Sequence, residues 1–158
     1  MSDSRQKPRV ALGADHAAFQ LKGRIKEYLE SAGYAVDDLG TWSEEPVDYP
    51  DFAAVAASRV AEGRSDLGIL TCGTGIGMSI AANKVAGVRA ALANDAATAR
   101  LAREHNDANV LTLGARVLSE AQAIEAVREF LSAQFAGGRH QRRIDKILEL
   151  DQERERKV

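Results

Sequence analysis

The chain has 158 residues, 45% hydrophobic and 5% aromatic, with a formal net charge of −2. That length suits one domain with a true core, and the near-neutral balance creates no global field toward nucleic acid or acidic membranes. The single cysteine excludes an intramolecular disulfide framework and a multi-cysteine zinc site. No apolar run approaches the roughly 18 residues of a membrane span, and residues 1–8 lack the apolar core of a signal peptide. A cytoplasmic protein is therefore expected, with one domain over residues 9–150 and polar tails at 1–8 and 151–158.

Residues 10–14 (Val-Ala-Leu-Gly-Ala) read as a first strand ending at Asp15 and His16. From Ala18 the apolar residues Leu21, Ile25, Tyr28 and Leu29 recur at helical spacing until Gly33 stops the helix. A second strand starts at Tyr34 and Val36, and a loop containing Pro46 and Pro50 leads to an alanine-rich helix over 51–62. Residues 67–70 form a short buried strand that runs into Cys72-Gly73-Thr74-Gly75-Ile76-Gly77 and then a helix. Residues 88–92 are a fourth strand, with Asn94 placed to cap the next helix. Residues 109–113 are a fifth strand ending at Gly114. Ser119 and Gln122 have capping-box spacing before a helix that should bury Ile124, Val127 and Leu131. Gly137-Gly138 breaks the chain before a last helix with Ile144, Ile147 and Leu148 on one face, and the polar tail from Asp151 reads as solvated.

Strands alternating with helices predict a parallel sheet covered on both faces. Ligands of such sheets bind beyond the carboxyl ends of strands, at a point where strand order reverses. Asp15-His16, Cys72 to Gly77, Asn94-Asp95 and Gly114 to Arg116 all follow expected strands and can converge on one edge.

The glycine segment is the most informative of these. Glycines let a backbone approach a ligand closely, and converging N–H groups favour an anion and a thiolate. The G-x-G-x-G spacing on a third strand is not the dinucleotide fingerprint, and no Lys-Ser/Thr pair closes a phosphate loop. Neither a nucleotide cofactor nor a metal is expected. Taken singly, each candidate has an ordinary structural role: Asp15 as a cap, Cys72 as a small buried hydrophobe, His105-Asn106 as a helix stop. Arg139, His140 and Arg143 stand at i, i+1 and i+4, where a helix start can present them together as a receptor for phosphate, joined by Arg116. Combined, a thiol base, a hydroxyl, loop amides, two histidines at strand ends and an arginine cluster point to a small anionic substrate. Proton abstraction next to a carbonyl is the metal-free chemistry that uses these parts.

Together these motifs resemble the ribose-5-phosphate isomerase B family, the group shared with the lactose-pathway galactose-6-phosphate isomerase subunits. The matching segments are 13–22 (Gly-Ala-Asp-His-Ala-Ala-Phe-Gln-Leu-Lys), 47–51, 72–79, 79–84, 104–110, 114–116 and 137–140 with Arg143, in family order over about 9–148. The resemblance implies a Rossmann-like, three-layer α/β/α sandwich with a five-stranded parallel sheet and no nucleotide. It implies an aldose–ketose isomerase that interconverts ribose 5-phosphate and ribulose 5-phosphate through a cis-enediolate. Cys72 would then be the base, Thr74 with the amides of Gly73, Gly75, Ile76 and Gly77 would steady the enediolate, and His105 would assist ring opening. Asp15, Tyr49 and Asn106 would bind sugar hydroxyls, while His16, Arg116, Arg139 and Arg143 would hold the phosphate with His140 nearby. It also implies a homodimer, with tetramers left open, whose last helix extends toward the partner and whose arginine segment crosses to the neighbouring site. Allose 6-phosphate, erythrulose 4-phosphate and galactose 6-phosphate are the alternative substrates, and a non-catalytic sugar-phosphate sensor is the alternative class. Trp42 stands in the loop before Tyr49, either against the sugar or as a packing residue.

Overall fold

The computed structural model describes residues 6–158; of the expected N-terminal tail, residues 1–5 lie outside the described residues. Five parallel strands alternate with helices: β1 (Val10–Ala14), α1 (Phe19–Ser31), β2 (Val36–Asp38), α2 (Tyr49–Ala61), β3 (Leu67–Cys72), α3 (Ile76–Ala82), β4 (Ala90–Leu92), α4 (Ala96–Asn106), β5 (Val110–Gly114), α5 (Glu120–Ser132) and α6 (Gln141–Arg156). Short 3-10 turns at His16–Ala18 and Gly138–His140 precede α1 and α6. Strand order across the sheet is β2-β1-β3-β5-β4. The direction of winding therefore reverses between β1 and β3, and a crevice opens beyond their carboxyl ends.

The central strands are apolar on both faces because helices cover both faces. Val10, Leu12, Ile69, Leu111 and Leu113 face α1, α4 and α5, against Ile25, Leu29, Ala99, Val127 and Phe130. Ala11, Leu70 and Cys72 face α2 and α3, packing against Ala53, Ala56, Ala57 and Ala82 with Met78 among them. That alanine-lined face lets α2 approach the sheet closely and brings its first residue, Tyr49, to the strand ends.

Local chemistry follows the sequence closely, with small shifts. Ser119 and Gln122 form the expected capping box, Val127 and Leu131 are buried, and Ile124 is half-buried. The cap of α4 is Asp95 rather than Asn94: the Asp95 carboxylate accepts from the Thr98 amide at 2.7 Å. A charged acceptor at the helix start is favoured by the dipole as well as by the hydrogen bond. The expected polar tail from Asp151 is helical, since α6 runs to Arg156. Its Asp151 carboxylate accepts the Gly87 amide at 2.8 Å and fastens α6 to the loop before β4. Of the stripe on α6, Ile144 is buried, whereas Ile147 and the neighbouring Leu150 are exposed. No helix among the described residues is long and apolar enough to cross a membrane.

Candidate functional site

The strand register sets the first group of candidates. Ala14 pairs with Thr71 and Cys72 pairs with Gly114, so β1, β3 and β5 end side by side. The Asp15 amide donates to Thr71 O at 3.2 Å, the Ala115 amide to Cys72 O at 2.9 Å and the Arg116 amide to Gly73 O at 2.9 Å. Asp15 is buried, and its carboxylate accepts from the Ala18 amide at 3.2 Å, capping the short turn before α1. The capping role and a place at the strand edge therefore coexist in this one residue.

Cys72 is buried, and the Gly75 amide donates to its Sγ at 3.1 Å. A donor aimed at sulfur is a contact that thiolate accepts better than thiol. The turn that aims this amide needs φ of +79° at Gly75, and an added Cβ there would stand 2.7 Å from Leu92 Cδ1 and 2.8 Å from the Leu113 carbonyl carbon. Glycine is thus required on both backbone and steric grounds. Thr74 is exposed on the loop and its Oγ1 accepts from the Ile76 amide at 3.2 Å.

Two side chains close over the loop. A Cβ at Gly77 would lie 2.5 Å from the Tyr49 ring, so that ring occupies the space that glycine leaves. A Cβ at Gly73 would lie 3.1 Å from an Arg116 guanidinium nitrogen, which places this cation beside the loop entrance. His16 follows Asp15 and its Nδ1 accepts from the Val47 amide at 3.1 Å. Asp15, His16, Cys72 to Gly77 and Arg116 therefore form one constellation at the strand ends, and Tyr49 joins them from the start of α2.

The remaining candidates lie elsewhere. His105 was expected at a strand end, but it occupies the last turn of α4, and Asn106 ends that helix. This turn delivers the chain to the start of β5, whereas Cys72 pairs with Gly114 at its far end. Four strand steps separate the two levels by roughly 13 Å along the sheet alone. His105 and His140 stack with ring centroids 4.4 Å apart and planes inclined by 13°. Arg139 and His140 sit on the turn before α6, with Arg143 in its first helical turn. The Ala136 amide donates to Glu104 O at 2.9 Å and holds this segment against α4. Partial desolvation in the stack, then the nearby His105, Arg139 and Arg143, push His140 below the usual imidazole range. Arg116 is consequently not joined to Arg139 and Arg143 within one chain.

One supporting arrangement escaped sequence reading. Lys22, though charged, is buried and bonds Asp38 Oδ1 at 2.6 Å, with its Nζ 4.9 Å from the centre of the Trp42 ring. Asp38 Oδ1 also accepts the Gly40 amide at 3.1 Å, and Lys26 reaches Oδ2 at 3.3 Å. Burial alone would raise the Asp38 carboxyl, but these hydrogen bonds and the Lys22 charge outweigh it and hold the group below the usual range. The signal in sequence was a lysine one position after Leu21 on the helix face turned to the sheet. It has no decoding without knowing that β2 ends beside it.

The topology and the glycine-loop edge define an α/β protein with a glycine turn and a buried cysteine at a topological switch point. A family model described as Ribose/Galactose Isomerase matches residues 10–147. Ribose-5-phosphate isomerase B of Escherichia coli (strain K12) is 48% identical over 146 residues, covering 92% of this chain and 98% of the relative. The solved ribose-5-phosphate isomerase B of Clostridium thermocellum superposes with a TM-score of 0.91 at 48% identity, over 92% of this chain and 98% of the other. That of Mycoplasma genitalium, solved with bound ribulose-5-phosphate, gives a TM-score of 0.89 at 47% identity, over 92% and 97%. The chain belongs to the ribose/galactose isomerase family, in the company of the ribose-5-phosphate isomerases B, and is a sugar-phosphate isomerase.

Proposed function

We propose that the reaction is the interconversion of ribose 5-phosphate and ribulose 5-phosphate, with Cys72 as the base. The observation that carries this reading is the Gly75 amide directed at Cys72 Sγ, in a loop flanked by Tyr49, Asp15 and Arg116. The Cys72 thiolate takes the proton from C2 of the open-chain aldose. The C2–H electrons form the C1–C2 double bond of a cis-enediolate, and the former carbonyl oxygen O1 takes up the charge. Return of the proton to C1, with transfer of the O2 proton to O1, completes the ketose. Thr74 and the amides from Gly73 to Gly77 stabilise the charged oxygen as it develops.

His105 serves ring opening by donating to or accepting from the sugar oxygens, with Asn106, Asp15 and Tyr49 on the hydroxyls. His16, Arg116, Arg139 and Arg143 hold the phosphate. Because His105, Asn106, Arg139, His140 and Arg143 lie at the opposite end of the sheet from Cys72, one chain does not assemble the full set. A homodimer in which that end of one copy covers the Cys72 edge of the other reunites them, and the exposed Ile147 and Leu150 of α6 suit such a contact. No cofactor takes part in this scheme, and a cytoplasmic setting suits its substrate.

Isomerisation assays without added metal, across ribose 5-phosphate, allose 6-phosphate, erythrulose 4-phosphate and galactose 6-phosphate, test the substrate. Fastest turnover of ribose 5-phosphate supports the proposal. Preference for another sugar keeps the mechanism and moves the substrate, and absence of turnover with all four overturns it.

A further inference from the structure

The loop between β2 and α2 is tied to the candidate site through one imidazole nitrogen. Val47 N–H donates to His16 Nδ1 at 3.1 Å. A backbone amide is always a donor, so Nδ1 must be the unprotonated, accepting nitrogen of the neutral ring. With the proton on Nδ1 instead, two N–H groups would face each other and the Val47 amide would lose its partner. The neutral ring therefore carries its hydrogen on Nε2, the nitrogen on the edge turned from Val47. His16 stands two residues past the end of β1, at the point where sheet winding reverses, and is half-buried.

We infer that His16 is a fixed-tautomer donor: the Val47 amide selects the Nε2–H form, and Nε2–H is the group that meets the anionic oxygen of the ligand. The inference rests on the proposed sugar-phosphate site for the nature of that ligand, but the tautomer itself does not. Coupling follows from the same geometry. A ring that donates from Nε2 gains electron density at Nδ1, so ligand binding strengthens the Val47 hydrogen bond. That bond holds the far end of the loop whose near end is clamped by Asp38 on the Gly40 amide. Ligand engagement at His16 thus tightens the segment that leads directly into Tyr49. Val47 is a positioning residue through its backbone, which is why no side-chain pattern reveals it.

Nitrogen-15 NMR of the imidazoles in the free protein tests the tautomer, and with three histidines in the chain the His16→Asn variant assigns the His16 signals. At a mildly alkaline pH the Nε2–H pattern is expected; the Nδ1–H pattern would overturn the inference. Amide exchange of Val47 with and without ribose 5-phosphate tests the coupling, with inorganic phosphate as a second probe. Slower exchange with either anion is expected, and unchanged exchange at saturating ligand would overturn the coupling.

Two variants separate the two nitrogens. Asparagine places an acceptor near Nδ1, so His16→Asn should keep the melting temperature and raise KM at least tenfold. Glutamine reaches the Nε2 position, so His16→Gln should lose melting temperature while its KM rises less than that of His16→Asn. The reverse ranking would contradict the assignment. Failure of ribose 5-phosphate as a substrate would leave the NMR result standing, so the two proposals fail separately.

Discussion

The two ends of the sheet are built on different plans. At the carboxyl end, backbone amides and carbonyls bolt the turns together, and Cys72 and Asp15 are buried within them. At the amino end, exposed Arg139 and Arg143 stand on a 3-10 turn and the start of α6, steadied by a histidine stack and the Ala136–Glu104 backbone hydrogen bond. The first end fixes its side chains through the hydrogen bonds and register of the sheet itself. The second offers charge without enclosure. In the proposed homodimer, the cationic cluster left open by its own chain and the buried thiol edge would be complementary halves.

The largest expected effect lies at the bolted end. Cys72→Ala should lower kcat by about 10²–10⁴-fold while leaving sugar-phosphate binding nearly intact, checked by turnover and by calorimetry. Retained turnover would remove Cys72 as the base. At the open end, Arg139→Ala or Arg143→Ala should act mainly on KM, raising it about 10- to 100-fold, because each would remove the proposed charge-assisted hydrogen bond to phosphate. Measured on ribose 5-phosphate, a fall in kcat with constant KM would reverse the division of labour between the two ends, and at substrate far below KM these variants should be nearly inactive.

Support for the first end is a smaller effect and appears as stability. Lys22→Ala removes one partner of a buried pair and should cost about 3 kcal/mol, read from denaturant unfolding. The neighbouring Lys26, 3.3 Å from Asp38, moderates that loss. Gly77→Ala should displace the Tyr49 ring and raise KM, with little change in unfolding because a side chain rather than backbone must move.

These contrasts explain what sequence could and could not disclose. The order of strands and helices was legible because apolar runs and periodic stripes are local. The carboxyl-edge group was legible too, since Asp15, Cys72 and Arg116 each follow a strand that ends at that edge in a parallel sheet. His105 misled because it precedes a strand rather than follows one, and a helix ending there returns the chain to the other edge. Asp95 displaced Asn94 as cap by one residue, a distinction that depends on where the backbone turns into the helix. Lys22 was invisible because its partner Asp38 comes from another element, sixteen positions away.

The smallest effects are in pH dependence, and they too divide by end. Asp38 titrates below its ordinary value of 3.8, so its contribution is complete above that value and is lost as pH falls through the lower folded pKa. Acid unfolding should therefore steepen below about pH 4, and Asp38→Asn should flatten that slope. His140 titrates below its ordinary 6.5, so between the two values the unfolded chain binds more protons and stability rises with pH. His140→Gln should remove that gentle slope in melting temperature below pH 6.5.

The central claim is that the two ends, one from each of two copies, make one site, and subunit complementation tests it most directly. At ribose 5-phosphate far below KM, the Cys72→Ala chain and an Arg139→Ala/Arg143→Ala double variant are assayed separately and after being unfolded and refolded together in equal amounts. A shared site predicts recovery toward about a quarter of wild-type activity, since half of the dimers are mixed and each carries one intact site. A mixture no more active than the average of its parts would show that each chain completes its own site.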